Sequence, residues 1–179
     1  TQTVCVTEKQ LTPDRRRGEG TDRMTAADNA SLAAQALDFT GKTVLVTGGG
    51  VGIGRAIAEA FADTGAHVVI AEIDAARADQ AEAAMLGARV IRCDVRQRGV
   101  GAMLAERIAA ETGRLDVLVN NVGHFVHARP FSMLEDDEAD EILDTNLGQL
   151  LRMTRAMIPL LRKGAPGSSI INITSIEAH

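Results

Sequence analysis

The chain has 179 residues, 45% hydrophobic and 24% charged, which suits one globular domain and excludes a collagen-like or wholly disordered polymer. No apolar run reaches the ~20 residues of a spanning helix and no cleavable apolar leader opens the sequence, so a soluble, cytoplasmic protein is expected. A net charge of -5 and a pI ≈ 5.4 give no global pull toward nucleic acid or anionic membrane, and two cysteines are too few for a disulfide framework or metal cluster.

Residues 1–38 are polar, broken by Pro13, Gly18 and Gly20, and carry the basic run Arg15, Arg16 and Arg17. They read as a mobile leader; a phosphate-binding arm is the other reading of the arginines. Met24 is a candidate alternative start of translation. Residues 39–179 are the expected folded domain. From Lys42 onward, short β-branched runs alternate with amphipathic stretches rich in Ala, Glu and Arg, the pattern of repeated βα units. Strands are expected at 43–47, 67–71, 89–93, 116–120 and 169–174, and helices near 53–64, 75–85, 97–112, 134–144 and 147–163. Val44, Leu45, Val46 and Val68, Val69, Ile70 are apolar at consecutive positions, so both faces of those strands need cover. The fold class is therefore α/β: a doubly wound, Rossmann-like parallel sheet of order 3-2-1-4-5, with a ligand crevice beyond the carboxyl ends of strands 1 and 4.

The helix over 147–163 places Leu147, Leu150, Leu151, Thr154, Ile158 and Leu161 at helical spacing, which predicts the face packed on the sheet and also suits a subunit interface. Pro159 is expected to bend it or weaken its last turn. In the last strand neighbouring isoleucines face opposite ways, so as an edge strand it would stand partly uncovered, and the sheet reads as incomplete on its C-terminal side.

The first strand runs straight into Thr47-Gly48-Gly49-Gly50-Val51-Gly52-Ile53-Gly54 and then a helix. Glycines permit positive φ and close backbone approach, and the free N–H groups of a helix start favour a pyrophosphate; a plain tight turn is the other reading. Without Gly-Lys-Ser/Thr, a P-loop hydrolase is disfavoured. Glu72 ends the second strand 18 residues past Gly54, near the offset at which an acid accepts hydrogen bonds from an adenosine ribose. It would repel a 2′-phosphate, and no Arg or Lys lies inside the glycine turn, so NAD is favoured over NADP. Asp74 competes for the same role, and a solvated surface acid remains open.

These residues resemble the classical short-chain dehydrogenase/reductase family from about Leu37 onward. The family's Thr-Gly-x-x-x-Gly-x-Gly turn is matched by residues 47–54, which implies cofactor contacts at Gly48, Gly50, Gly52, Ile53 and Gly54. Its Asp-Val pair near the adenine is matched by Asp94 and Val95. Its Asn-Asn-Ala-Gly is matched by Asn120, Asn121, Val122 and Gly123, with valine for alanine, and implies that Asn121, Val122 and Gly123 line the nicotinamide riboside pocket. Asn146, in Asp144-Thr145-Asn146-Leu147, resembles the asparagine that holds a proton-relay water. Ser175, after Ile171-Asn172-Ile173-Thr174, resembles the serine whose hydroxyl binds the substrate carbonyl.

The family's Tyr-x-x-x-Lys lies beyond that serine, whereas this chain contains no tyrosine and has lysine only at Lys9, Lys42 and Lys163. His124, His127 and His179 are conceivable proton donors, with pocket wall or surface as the other reading. Phe125, Val126 and Phe131 suggest an apolar pocket or core. The resemblance implies a homo-oligomeric NAD(P)-dependent oxidoreductase that moves a hydride between a nicotinamide cofactor and a secondary alcohol or ketone, with no metal, nucleic acid or membrane partner. The 179 residues alone are expected to be an inactive fragment. The alternative is a naturally truncated, non-catalytic dinucleotide-binding or dimerisation module. A methyltransferase would leave Asn120, Asn121, Val122, Gly123 and the Ser175 strand without a role.

Overall fold

In a computed structural model, which describes residues 37–85, 87–124, 130–164 and 166–174, five strands form one sheet of order β3-β2-β1-β4-β5. β1 (Thr43–Thr47) pairs in parallel with β2 (His67–Glu72) on one side and β4 (Val117–Asn120) on the other, so that Leu45 lies opposite both Val69 and Leu118. β3 (Arg89–Arg92) flanks β2, and β5 (Ser169–Asn172) flanks β4, both in parallel. Parallel neighbours need a crossover, and helices supply each one: α1 (Gly52–Asp63), α2 (Ala75–Ala84), α3 (Val100–Glu111), and α4 (Asp136–Leu143), which runs through a π turn (Asp144–Gly148) into α5 (Gln149–Gly164).

Side chains alternate across the sheet, and each face has its own core. Leu45, Val69, Ala71 and Leu118 face α3 and α5, where they meet Leu104, Ile108, Met153, Met157, Leu160 and Leu161. Val44, Val46, Val68, Ile70, Val117 and Val119 face the other way, against Ala58 of α1 and Ala81 of α2. Every residue of β1 is buried, as its unbroken apolar run requires. Full burial of each large side chain stabilises the fold by about 1.5–3 kcal/mol. The outer strands are leaner: Ile171 of β5 is 40% exposed. The described residues from Phe39 onward belong to one compact unit. Phe39 is tied to the end of α1 through its N–H to the Thr64 carbonyl (2.8 Å) and an edge-on ring contact with Phe61.

Helix ends follow local chemistry. Asp74 caps α2 by accepting the Arg77 N–H (2.9 Å), and Glu135 and Glu138 form a capping box at α4. α3 starts at Val100, later than expected, because Asp94 and Gln97 form a turn (Gln97 N–H to Asp94 carbonyl, 3.0 Å) and Gly99 takes φ 89°. α5 continues five residues past Pro159; Arg155, whose carbonyl would have met the missing N–H, lies on the exposed side. The sheet-facing side of α5 differs from expectation. It carries Gln149, Met153, Met157, Leu160, Leu161 and Gly164, while Leu147 and Leu151 are 50% and 57% exposed. The helix is apolar around more than half its girth, so Met153 and Met157 take the inward place together with Leu160 and Leu161, the latter from the expected row, while Leu147 and Leu151 face out. Among the described residues no helix is long and apolar enough to cross a membrane. The expected leader, with Cys5, Met24 and the arginine run, lies outside the described residues apart from Leu37 and Asp38.

Candidate cofactor site and active-site crevice

The turn between β1 and α1 is shaped by what its glycines exclude. Gly48 has φ 65° and donates its N–H to the Ala71 carbonyl (2.7 Å), while Gly52 has φ 59°. A Cβ on Gly50 would stand 2.6 Å from Glu72 Oε2, and one on Gly54 would strike both the Gly48 carbonyl and the Asn121 amide. Val51 precedes α1 without any side-chain cap, and the first turn holds no acid. The unsatisfied N–H groups and the positive end of the helix dipole therefore open beyond the carboxyl ends of β1 and β4. Gly52 has open space around it, and Ile53 is 66% exposed on the same turn. This cradle fits a pyrophosphate: the Gly48 and Gly50 N–H groups are taken by Ala71 and Glu72, but those of Gly52, Ile53 and Gly54, which open α1, meet no side-chain cap.

Glu72 is buried at the end of β2, and its carboxylate is held by backbone. Oε2 accepts the Gly50 N–H (3.0 Å), and Oε1 accepts those of Ile73 (3.0 Å) and Asp74 (3.1 Å). The acid expected to meet a ribose thus also fastens the glycine turn to β2. Asp74 is a helix cap. Asp94, after β3, forms a forked pair with Arg96 (Nη2 to Oδ2, 2.9 Å) and accepts the Arg96 N–H (3.0 Å); the Arg96 side chain is the main reason its carboxyl lies below the usual range. Val95 is buried in the core, which leaves its backbone as the part able to face a ligand. Arg96 also sits 3.8 Å from Glu141 of α4, and its carbonyl accepts Arg152 Nη2 (2.9 Å) from α5. Arg152 in turn grips Asp144 of the π turn through two oxygens, at 2.6 and 2.9 Å, and holds that carboxyl low.

The turn after β4 is gripped from several sides. Asn120, buried, donates to Thr154 Oγ1 (3.1 Å) and Asn172 Oδ1 (2.9 Å), joining β4 to α5 and β5. Thr47 Oγ1 accepts the N–H groups of Asn121 (3.0 Å) and Val122 (3.3 Å). Asn121 Nδ2 returns to the carbonyls of Thr47 (3.0 Å) and Gly48 (3.2 Å). Gly123 is exposed, and a Cβ there would lie 3.1 Å from Asn146 Oδ1. Asn146, in the π turn, accepts the His124 N–H (2.9 Å) and donates to the His124 carbonyl (3.0 Å) and the Ile142 carbonyl (2.9 Å). The glycine turn and residues 121–124 are thereby joined into one wall.

Gly48, Gly50, Gly52, Ile53, Gly54, Asn121, Val122 and Gly123 therefore gather at the carboxyl ends of β1 and β4, and Asn146 is bonded to that wall. Glu72 joins them through Gly50, and Asp94 stands one strand further, after β3. Ser175, His127, His179, Phe125 and Val126 lie outside the described residues, as does the Phe131 side chain. Three contributors escaped the sequence reading: Thr47 as an anchor, the Arg152–Asp144 pair, and Gln149, which donates to the Val122 carbonyl (3.0 Å). Cys93 is half-buried, and burial, with Asp94 adding to it, pushes its thiol up to about 11, which leaves it inert. No group of His, Cys, Asp and Glu able to hold a metal ion occurs among the described residues.

A sequence profile described as short chain dehydrogenase matches residues 42–179. The chain is 39% identical over 142 residues to an L-fucose dehydrogenase of Bos taurus, covering 77% of this chain and 50% of the relative. It is 35% identical over 135 residues to a galactitol 2-dehydrogenase of Agrobacterium fabrum, covering 75% and 52%. It thus spans about half the length of these curated relatives. A solved 7α-hydroxysteroid dehydrogenase complexed with NADH and 7-oxo glycochenodeoxycholic acid superposes with a TM-score of 0.72 at 30% identity, over 78% of this chain and 55% of that one. With the parallel sheet, the glycine cradle and the turn after β4 in place, these matches show that the chain belongs to the classical short-chain dehydrogenase/reductase family.

Proposed function

We propose that the chain supplies the dinucleotide site and part of the active site of an NAD-dependent oxidoreductase acting on a secondary alcohol or ketone. The observation that carries this reading is the uncapped start of α1, held open by Gly48 and Gly54 against Asn121. The nicotinamide, when bound, supplies the carbon that accepts or donates the hydride. Gly52, Ile53 and Gly54 offer their uncapped N–H groups to the pyrophosphate, and Gly48 and Gly50 shape the turn that lets the cofactor approach. Glu72 binds the adenosine ribose, and its anionic carboxylate at that place supports NAD over NADP. Asp94 and the Val95 backbone hold the adenine, and Asn121, Val122 and Gly123 bound the nicotinamide riboside. Asn146 fixes the relay water, and Ser175 donates to the substrate carbonyl. The relatives named for L-fucose and galactitol, and the NADH-bound steroid neighbour, support an alcohol or carbonyl substrate and the NAD preference.

Since the chain contains no tyrosine, tyrosine-borne proton delivery is not among the functions of these 179 residues; by themselves they bind the cofactor and turn over nothing. The acidic, cysteine-poor composition supports a cytoplasmic location. Leu143, Leu147 and Leu151, exposed at four-residue spacing, support a homo-oligomer. Fluorescence titration of the purified chain with NADH and NADPH tests the cofactor reading: saturable binding with NADH preferred is expected, and a folded chain that binds neither would refute it. Substrate-dependent NADH consumption by the 179-residue chain would overturn the inactivity.

A further inference from the structure

We propose that Gln149 is a positioning residue for the nicotinamide end of the site, fixing the turn at 121–124 against the glycine turn. The proposal rests on the dinucleotide reading above and adds a residue to it. Gln149 opens α5 directly after the π turn and is fully buried. Its Nε2 donates to the Val122 carbonyl (3.0 Å), while the Val122 N–H is held by Thr47 Oγ1 (3.3 Å). Both peptide groups of Val122 are thus pinned, one from β1 and one from α5. Asn146, three residues before Gln149, grips His124 through both its N–H and its carbonyl. One helix junction therefore holds two points of the same turn.

Val122 carries this constraint to the phosphate turn. Its Cγ2 stands 3.0 Å from where a Gly48 Cβ would be, so it leaves no room for a side chain there, and the neighbouring Asn121 Nδ2 reaches the Gly48 carbonyl at 3.2 Å. A rotation of the Val122 peptide would move that methyl into or away from Gly48 and displace Gly123 beside it. An apolar side chain would fill the same buried space with less desolvation. The Gln149 amide instead places one donor on Val122, while its Oε1 meets no donor among the described residues. Its use lies in orientation, not in packing.

The test compares NADH, which reaches the turn at 121–124, with ADP, which engages the glycine turn, Glu72 and Asp94 alone. The full chain is titrated with each, as wild type, as Gln149→Met, which keeps the volume and removes the donor, and as Gln149→Asn, which keeps an amide too short to reach Val122. For both variants the NADH Kd should rise roughly tenfold and the ADP Kd by less than about twofold. The melting temperature of Gln149→Met should stay near that of the wild type, since the unpaired Oε1 goes while the Val122 carbonyl loses its donor. If Gln149→Met does not fold, Gln149→Asn carries the comparison. Equal loss for NADH and ADP would reduce Gln149 to a structural residue and overturn the proposal, as would unchanged NADH affinity. A folded wild type that binds neither ligand would overturn the dinucleotide reading and this one with it.

Discussion

Replacing Gly54 by Ala tests whether close backbone approach, and not helix propensity, decides the residue at that position. Gly54 lies in the first turn of α1, where alanine by itself would stabilise the helix by about 1 kcal/mol. Against that, its Cβ would strike the Gly48 carbonyl and the Asn121 side-chain nitrogen. Asn121 Nδ2 would have to leave the carbonyls of Thr47 and Gly48, two hydrogen bonds of 3.0 and 3.2 Å. Each contributes about 1 kcal/mol, and the overpacking adds about 1–3 kcal/mol. The clash wins, for a net loss of about 2–4 kcal/mol, or roughly 5–15 °C in melting temperature for a domain of this size. NADH affinity should fall as well, because the same shift breaks the joint between the two turns. The assays are thermal unfolding and NADH fluorescence titration. A Gly54→Ala chain with wild-type melting temperature and wild-type affinity would show that Gly48 and Asn121 give way freely, and the close-approach reasoning would be wrong.

Other outcomes follow from single groups. Glu72→Gln turns an NH2 toward one of three backbone donors, so unfolding in urea should show a loss of about 1–3 kcal/mol and weaker NADH binding; unchanged stability would mean the carboxylate does not fasten the glycine turn. Burial pushes the Asp116 carboxyl up, but Arg114, the Thr43 N–H and Lys42 together outweigh it and hold the group below its usual range. Its ionised form is thus favoured in the fold: the stability it contributes is present above about pH 4 and lost as pH falls further. Asp116→Asn should flatten that acid limb of the melting curve, and an identical limb in the variant would contradict the assignment. With its thiol pushed up to about 11 from 9.0, Cys93 holds about 100-fold less thiolate near pH 8 than an ordinary thiol. Peptide-resolved iodoacetamide labelling should be slower in the native than in the denatured chain by a similar factor, and equal rates would refute the burial argument.

The fold was readable where one residue type admits one environment. Runs such as Val44, Leu45, Val46 demand cover on both faces, and two separate cores provide it. Five strand-length runs, the central ones of this kind, joined by helical stretches leave little choice but a parallel sheet. α5 was harder to read because periodicity gives spacing but not phase. Leu147 and Leu151 continue the row of Leu143 outward, while Met153 and Met157 turn inward. The π turn at Asp144–Gly148 lies where the two rows would have to be brought into phase, and nothing in its composition announces a change of winding.

The same distinction runs through the site. Gly48, Gly52 and Gly54 are set by demands of the backbone itself, positive φ in the first two and lack of room in the third, so their spacing carried the argument from sequence. Glu72 was found by its offset, yet three backbone donors that hold it could not be, because any residue type supplies an N–H. Thr47 and Asn121 meet across 74 positions, and Gln149 and Val122 across 27. A lone glutamine in an apolar helix reads as a solvated face until the sheet brings the Val122 carbonyl to it. In this chain, then, residues whose role is conformational are visible one at a time, and residues whose role is to hold another turn become visible only once strand order has fixed which turns adjoin.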